Sequence, residues 1–365
     1  MQKKILLVLI FYLFNLVPLF AGKQKADSSD TKKTHLYAYP YAFYTPETKF
    51  AFGGGVILNF FTSQKGSKPS QALLGGYYST NHNFYSSLNT HIYDKNNHYH
   101  PWIYIAKVVD KFYGIGNNTP DIEDASFYNA QKFGMEIVVE KYIKKFIFGV
   151  VFNWSYWNIN DKLDNSYLLN NSVSGSDGGY TSGFGLSFGM DSRDYVFLPT
   201  KGVYHEFKFT HYNEYFGGDF VFTKYIADLR GYRTFFNKLI TGWQLYGEGI
   251  TGDAPFYYLP ALGGSERMRG YYEGRYRDNF YLTGQIETGM LFRIFNKLNR
   301  FGAIIFASFG EVAHTFDGFK ISGIKTTYGF GVGYLLDEKN RTVLRADLGF
   351  GKDTFGLYFA AGLPF

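Results

Sequence analysis

Phe146-Ile-Phe-Gly-Val-Val-Phe-Asn-Trp-Ser155 is the stretch on which the fold turns. Phe146, Phe148, Val150, Phe152 and Trp154 recur at every second position, with Gly149, Asn153 and Ser155 among the residues between. Side chains of a strand point alternately to opposite faces, so one face of this segment is apolar and the other small or polar. Val203, His205, Phe207 and Phe209 repeat the pattern against Tyr204, Glu206, Lys208 and Thr210, which sets a carboxylate and an ammonium opposite a greasy face. A soluble β-sandwich can produce such strands too. Their number, and the aromatic clustering near their ends where a membrane interface holds Tyr and Trp, predict instead an all-β fold, a transmembrane antiparallel β-barrel.

Outward from this segment, the same alternation predicts strands at 36–44, 48–61, 71–80, 84–93, 98–110, 126–143, 146–158, 179–191, 202–213, 219–234, 238–251, 278–294, 300–313, 325–336, 341–351 and 354–365. The total is even, as a closed bacterial barrel with both termini in the periplasm requires. With that orientation the long connections 111–125, 159–178 and 252–277 lie outside the cell and the tight links 144–145, 235–237 and 337–340 inside. The inner link 62–70 is longer than the barrel rule suggests.

At the N-terminus Lys3 and Lys4 precede an apolar run from Ile5 to Phe20, followed by Ala21 and Gly22. Residues 1–21 are therefore expected to be a cleavable signal peptide; a single membrane anchor is the alternative, against which stand the short run and Pro18. The polar stretch 22–35 is expected to be a flexible leader, and 36–365 the barrel. Composition agrees: 19% charged, 21% aromatic and 42 Gly, with a mean hydropathy of −0.19 that spanning helices would have raised. The absence of Cys excludes disulfides, thiolate metal sites and a lipidated cysteine. A net charge of +6 is scattered rather than gathered in a stripe, so nucleic acid is not an expected partner.

Nor does the sequence offer catalysis. His91, His98, His100, His205 and His211 fall on predicted strands without a serine nucleophile motif, and no carboxylate at useful spacing makes His98 and His100 a metal site. Gly53-Gly-Gly55 precedes strand rather than helix and so cannot cradle phosphate at a helix terminus. No enzyme activity, metal or cofactor is expected.

The chain closes on Phe355, Leu357, Phe359, Ala361, Leu363 and Phe365 on one face, with Gly356, Tyr358, Ala360, Gly362 and Pro364 on the other. A terminal aromatic on an amphipathic last strand resembles the assembly signal of outer-membrane barrels, which implicates Tyr358, Phe359, Gly362 and Phe365. Pro40 and Pro364 each lack an N–H, so the strands expected at the closing seam are each short of a donor. A lateral opening there, or two prolines merely at strand ends, both fit.

Three internal segments together resemble the BamA/TamA-type outer-membrane proteins, the bacterial surface antigen superfamily. Asp191-Ser-Arg-Asp194 with Phe197, Pro199 and Gly202 resembles that family's D-x-R-D…P-x-x-G turn, Arg193 included, and Pro and Gly chemistry predicts a tight link there. Gly263-Gly-Ser-Glu-Arg-Met-Arg-Gly-Tyr271 resembles its R-G-Y/F loop, which implies that Arg269, Gly270 and Tyr271 dock a long extracellular loop inside the lumen. Phe306-Ala-Ser-Phe-Gly310 resembles its F-x-D-x-G strand, but Ser308 stands where the family has the acid that partners the loop arginine. Ser308 can accept a hydrogen bond yet cannot balance a buried guanidinium, which leaves Glu287 and Asp347 as candidate partners. Weaker likenesses are Tyr44-Thr-Pro-Glu-Thr48 and Phe112-Tyr-Gly-Ile-Gly116. The leader has no room for a domain of ~50 residues, so the family's POTRA domains are expected to be absent.

The resemblance implies insertion or translocation of proteins, or lipids, at the outer membrane. The implied partners are outer-membrane lipid including lipopolysaccharide, barrel assembly machinery for the chain's own insertion, and an unidentified substrate protein. Lumen residues such as Glu206, Lys208, Asp228 and Arg230 suit a passive pore or structural surface antigen equally well.

Overall fold

The computed structural model describes residues 34–45, 48–63, 68–119, 125–160, 168, 173–294, 298–337, 341–362 and 365. The signal peptide 1–21, the leader up to residue 33, and Pro364 lie outside them. The strands are β1 (His35–Thr45), β2 (Lys49–Phe60), β3 (Ser70–Ser79), β4 (Phe84–Asp94), β5 (Asn97–Phe112), β6 (Ser126–Ile143), β7 (Phe146–Asn160), β8 (Gly178–Asp191) and β9 (Gly202–Tyr212). They continue with β10 (Phe222–Phe235), β11 (Leu239–Gly252), β12 (Ala261–Leu262), β13 (Tyr276–Arg277), β14 (Phe280–Ile294), β15 (Leu298–Ala313), β16 (Lys325–Asp337), β17 (Thr342–Gly351) and β18 (Thr354–Ala361). Sixteen of them form one antiparallel sheet in chain order, while β12 and β13 pair by themselves within the connection from β11 to β14.

The two-residue period sorts the wall. Phe148, Val150, Phe184, Leu186 and Phe188 stand exposed outside, Leu186 at 60%, while Glu140, Ser187, Glu206 and Asp228 are buried within. An apolar belt of that extent is at home in hydrocarbon rather than water. Inside, charges are matched: Lys224 lies 2.7 Å from Glu248, and Lys208 3.4 Å from Glu206.

The sheet curls until β1 and β18 lie side by side, yet among the described residues no ladder joins them. The cylinder is thus nearly closed. Pro40 sits mid-strand in β1, in register with Gly54 of β2.

One expectation about the last strand fails. β18 ends at Ala361; Gly362 adopts φ 90° and donates its N–H to the Val343 carbonyl at 2.7 Å. That left-handed residue breaks the alternation, and Phe365 turns inside the barrel instead of extending the lipid face. Its ring is buried, stacked 6.4 Å from Tyr232 and lying over Gly242.

Candidate functional site

The connection 253–279 folds inward and fills the outer part of the lumen. Phe256 packs on Phe112 and Tyr128, while Leu262, Met268 and Tyr271 meet Tyr246, Tyr281 and Val312 of the wall. At the loop's base Gly116 donates its N–H to the Arg277 carbonyl at 2.7 Å, so the Phe112–Gly116 string holds the loop in place.

The tip is bent by two left-handed residues, Met268 at φ 55° and Gly270 at φ 121°. Only glycine fits the second: a Cβ there would lie 2.5 Å from the Phe350 carbonyl carbon. The bend lays Arg269 flat against the inner wall, fully buried at 0% exposure. Its Nη2 donates to Glu287 Oε2 at 2.8 Å and its Nη1 to Asp347 Oδ2. The guanidinium carbon sits 3.6 Å from the centre of the Phe306 ring, a stacked cation–π contact.

Glu287 is on β14 and Asp347 on β17, with two strands between, a span of roughly 14 Å at the usual strand spacing. A second cation closes it. Arg345 Nη1 and Nη2 donate to Glu287 at 2.8 Å each, and its Nε and Nη2 donate to Asp347 at 2.9 and 3.0 Å. Two guanidinium groups therefore share two carboxylates, and the buried cluster is neutral. The intervening β16 supplies the room, because Gly329, Gly331 and Gly333 leave its inner face bare beneath Phe306 and Asp347. Gly349 does the same on β17: a Cβ there would lie 2.6 Å from the Arg269 carbonyl oxygen.

Ser308 takes no part, correcting its place among the candidate partners. It lies on the inner face of β15 one step beyond Phe306, level with Gln285, and its buried hydroxyl finds no partner among the described residues. Gly270 and Tyr271 are held separately: the Gly270 N–H donates to the Tyr358 hydroxyl at 3.0 Å, Thr354 donates to the Gly270 carbonyl, and the Lys352 N–H reaches the Tyr271 hydroxyl at 3.3 Å. Tyr358 thus meets the loop tip from β18. Phe359, on the opposite face of that strand, does not. Sequence reasoning missed Arg345; its signal was a cation two residues from Asp347, on the same face of one strand.

At the opposite end of the barrel the segment 192–201 is no tight link. Asp191, buried, accepts from Arg193 Nε at 2.9 Å and from Lys68 at 2.9 Å. From there the chain crosses the mouth: Val196 packs on Tyr93, Tyr142 and Ile147, and Arg341 of the β16–β17 turn reaches Asp194 at 3.1 Å. Burial pushes the Asp194 carboxyl up, but hydrogen bonds from Thr200, Lys201 and Arg341 outweigh it and hold it below the usual range. Pro199 is buried, and Gly202 at φ 103° lets the strap rejoin the sheet beside Ser192. The strap leaves the sheet between β8 and β9 and meets cations from the β2–β3 and β16–β17 connections, one on either side of the seam between β1 and β18.

The Omp85 superfamily domain matches residues 68–363. No curated protein sequence matches the chain. Among solved structures, BamA from Haemophilus ducreyi lacking POTRA domains 1–3 superposes with a TM-score of 0.57 at 10% identity, over 91% of this chain and 70% of that one. CdiB from Escherichia coli gives 0.58 at 9% identity, over 93% and 64%, and CdiB from Acinetobacter baumannii 0.55 at 12%, over 90% and 59%. At such identities the likeness is one of fold, and the chain spans less than two thirds of either CdiB.

Proposed function

Because this chain belongs to the Omp85 superfamily, we propose that it is an outer-membrane barrel that inserts or translocates proteins, with lipids as a second class of cargo, and that it works by opening between β1 and β18. The observation that carries this reading is the seam, where two adjacent strands share no ladder among the described residues. Each edge then offers backbone N–H and C=O groups to an incoming strand, which can pair with them by β-augmentation. Pro40 withholds one donor from β1. The wall beside the seam is braced by Arg269 and Arg345, so movement is concentrated at the seam itself.

A passive pore is the weaker reading, since the inward loop fills the lumen that would conduct. The assay for the seam joins Ala38→Cys to Ala361→Cys with a short bifunctional thiol reagent in vesicles. Insertion of an unfolded barrel client is expected to fall to the rate of protein-free vesicles and to recover when the bridge is cleaved. An unchanged rate in the bridged protein would overturn the proposal.

A further inference from the structure

Outside the barrel between β4 and β11, charge is sorted by end. Toward the end where His35 and Phe365 lie, Lys95, Lys141, Lys144, Lys145, Arg233 and Lys238 are exposed on three hairpins, β4–β5, β6–β7 and β10–β11. At the other end of the same strands the described parts of the connections expose Asp177, Glu214, Asp219 and Asp253, with Lys107 exposed and Lys111 half-buried on β5. Of the acids at the basic end, Asp191 is buried against Arg193 and Asp194 is taken by Arg341, while the half-buried Asp94 ends β4 beside Lys95, so the cations remain in excess. Among the described residues no acid pairs with Lys95, Lys141, Lys144, Lys145 or Lys238.

The cations are interleaved with large apolar groups that face outward. Lys141 is in register with Phe148, and Arg233 lies 5.3 Å from the Phe235 ring. Trp243, exposed on the same face, is opposite Gly231. Phe236 is 90% exposed, and it and Asn237 take φ 52° and 55° in the β10–β11 turn. A bulky residue in that conformation is unfavourable, and in water its exposure would gain nothing. At a membrane interface an aromatic ring beside a cation has both an apolar layer and a headgroup to meet.

We infer that this rim is a docking collar for anionic phospholipid headgroups of the periplasmic leaflet. The inference rests on the orientation adopted above, with the chain's termini in the periplasm. These five lysines and Arg233, at one level along part of the rim, meet phosphate from below the apolar belt, and the attraction is electrostatic and salt-sensitive.

Trp243 reports on this level of the wall, so the test uses the full chain in phosphatidylcholine vesicles containing phosphatidylglycerol with brominated acyl chains, which quench indole fluorescence on contact. The expected preference of phosphatidylglycerol over brominated phosphatidylcholine is about threefold or more at low salt, falling toward one at high salt. Trp243→Phe should remove that part of the signal. Replacing Lys144, Lys145, Arg233 and Lys238 by Gln should abolish the preference, and Lys144→Arg with Lys145→Arg and Lys238→Arg should retain it. An inserted native protein with no preference overturns the collar and leaves the barrel reading standing. A chain that stays out of the bilayer overturns both.

Discussion

Arg269 concentrates the chemistry of the interior in one side chain. Its removal leaves Glu287 and Asp347 with Arg345 alone, a buried site carrying one net negative charge. Breaking a buried ion pair from one side typically costs about 3–5 kcal/mol. Arg269→Ala is therefore expected to lower the temperature at which the detergent-solubilised barrel loses its folded electrophoretic mobility. Adding Asp347→Asn restores charge balance, so the double variant should be less destabilised than the sum of the two single ones. Strict additivity would mean that the two side chains do not share a site. Lysine is a poor substitute here, because a single ammonium cannot span two carboxylates while lying flat on Phe306.

At the level of elements, the loop tip depends on wall residues that have no side chains. Gly349→Val places methyl groups where the Arg269 carbonyl lies, so the tip must lift. Trypsin is then expected to cleave after Arg269, and the native protein, in which Arg269 is fully buried, to resist it; persistent protection in the variant would show that the tip docks by other contacts. The strands themselves were legible, because facing in a sheet depends on nothing beyond odd and even positions: all sixteen predicted segments carry one. What the period could not convey is contact across the lumen. Arg345 meets Glu287 from three strands away, and the 192–201 strap reaches Arg341 on the far side, distances to which alternation is blind. Phe365 was misplaced for a different reason: one residue at positive φ, Gly362, ends the odd–even rule, and a glycine in a sequence does not announce which conformation it takes.

For the molecule as a whole, the inward loop decides whether the barrel conducts. Planar-bilayer recordings of the native protein should give small, fluctuating currents, and a variant lacking residues 257–276 a stable conductance several-fold larger. A large, steady native conductance would return the pore reading to first place. The shared cluster also has a temporal meaning. One of its acids arrives with β14 and the other, together with the second arginine, with β17. Until the whole panel from β14 to β17 is assembled, the guanidinium at the loop's apex has at most half of its counter-ions, so neutrality is reached only when the wall is complete. The four side chains thus register completion of that side of the cylinder, and a barrel halted one hairpin short would hold its loop by only one of two clasps.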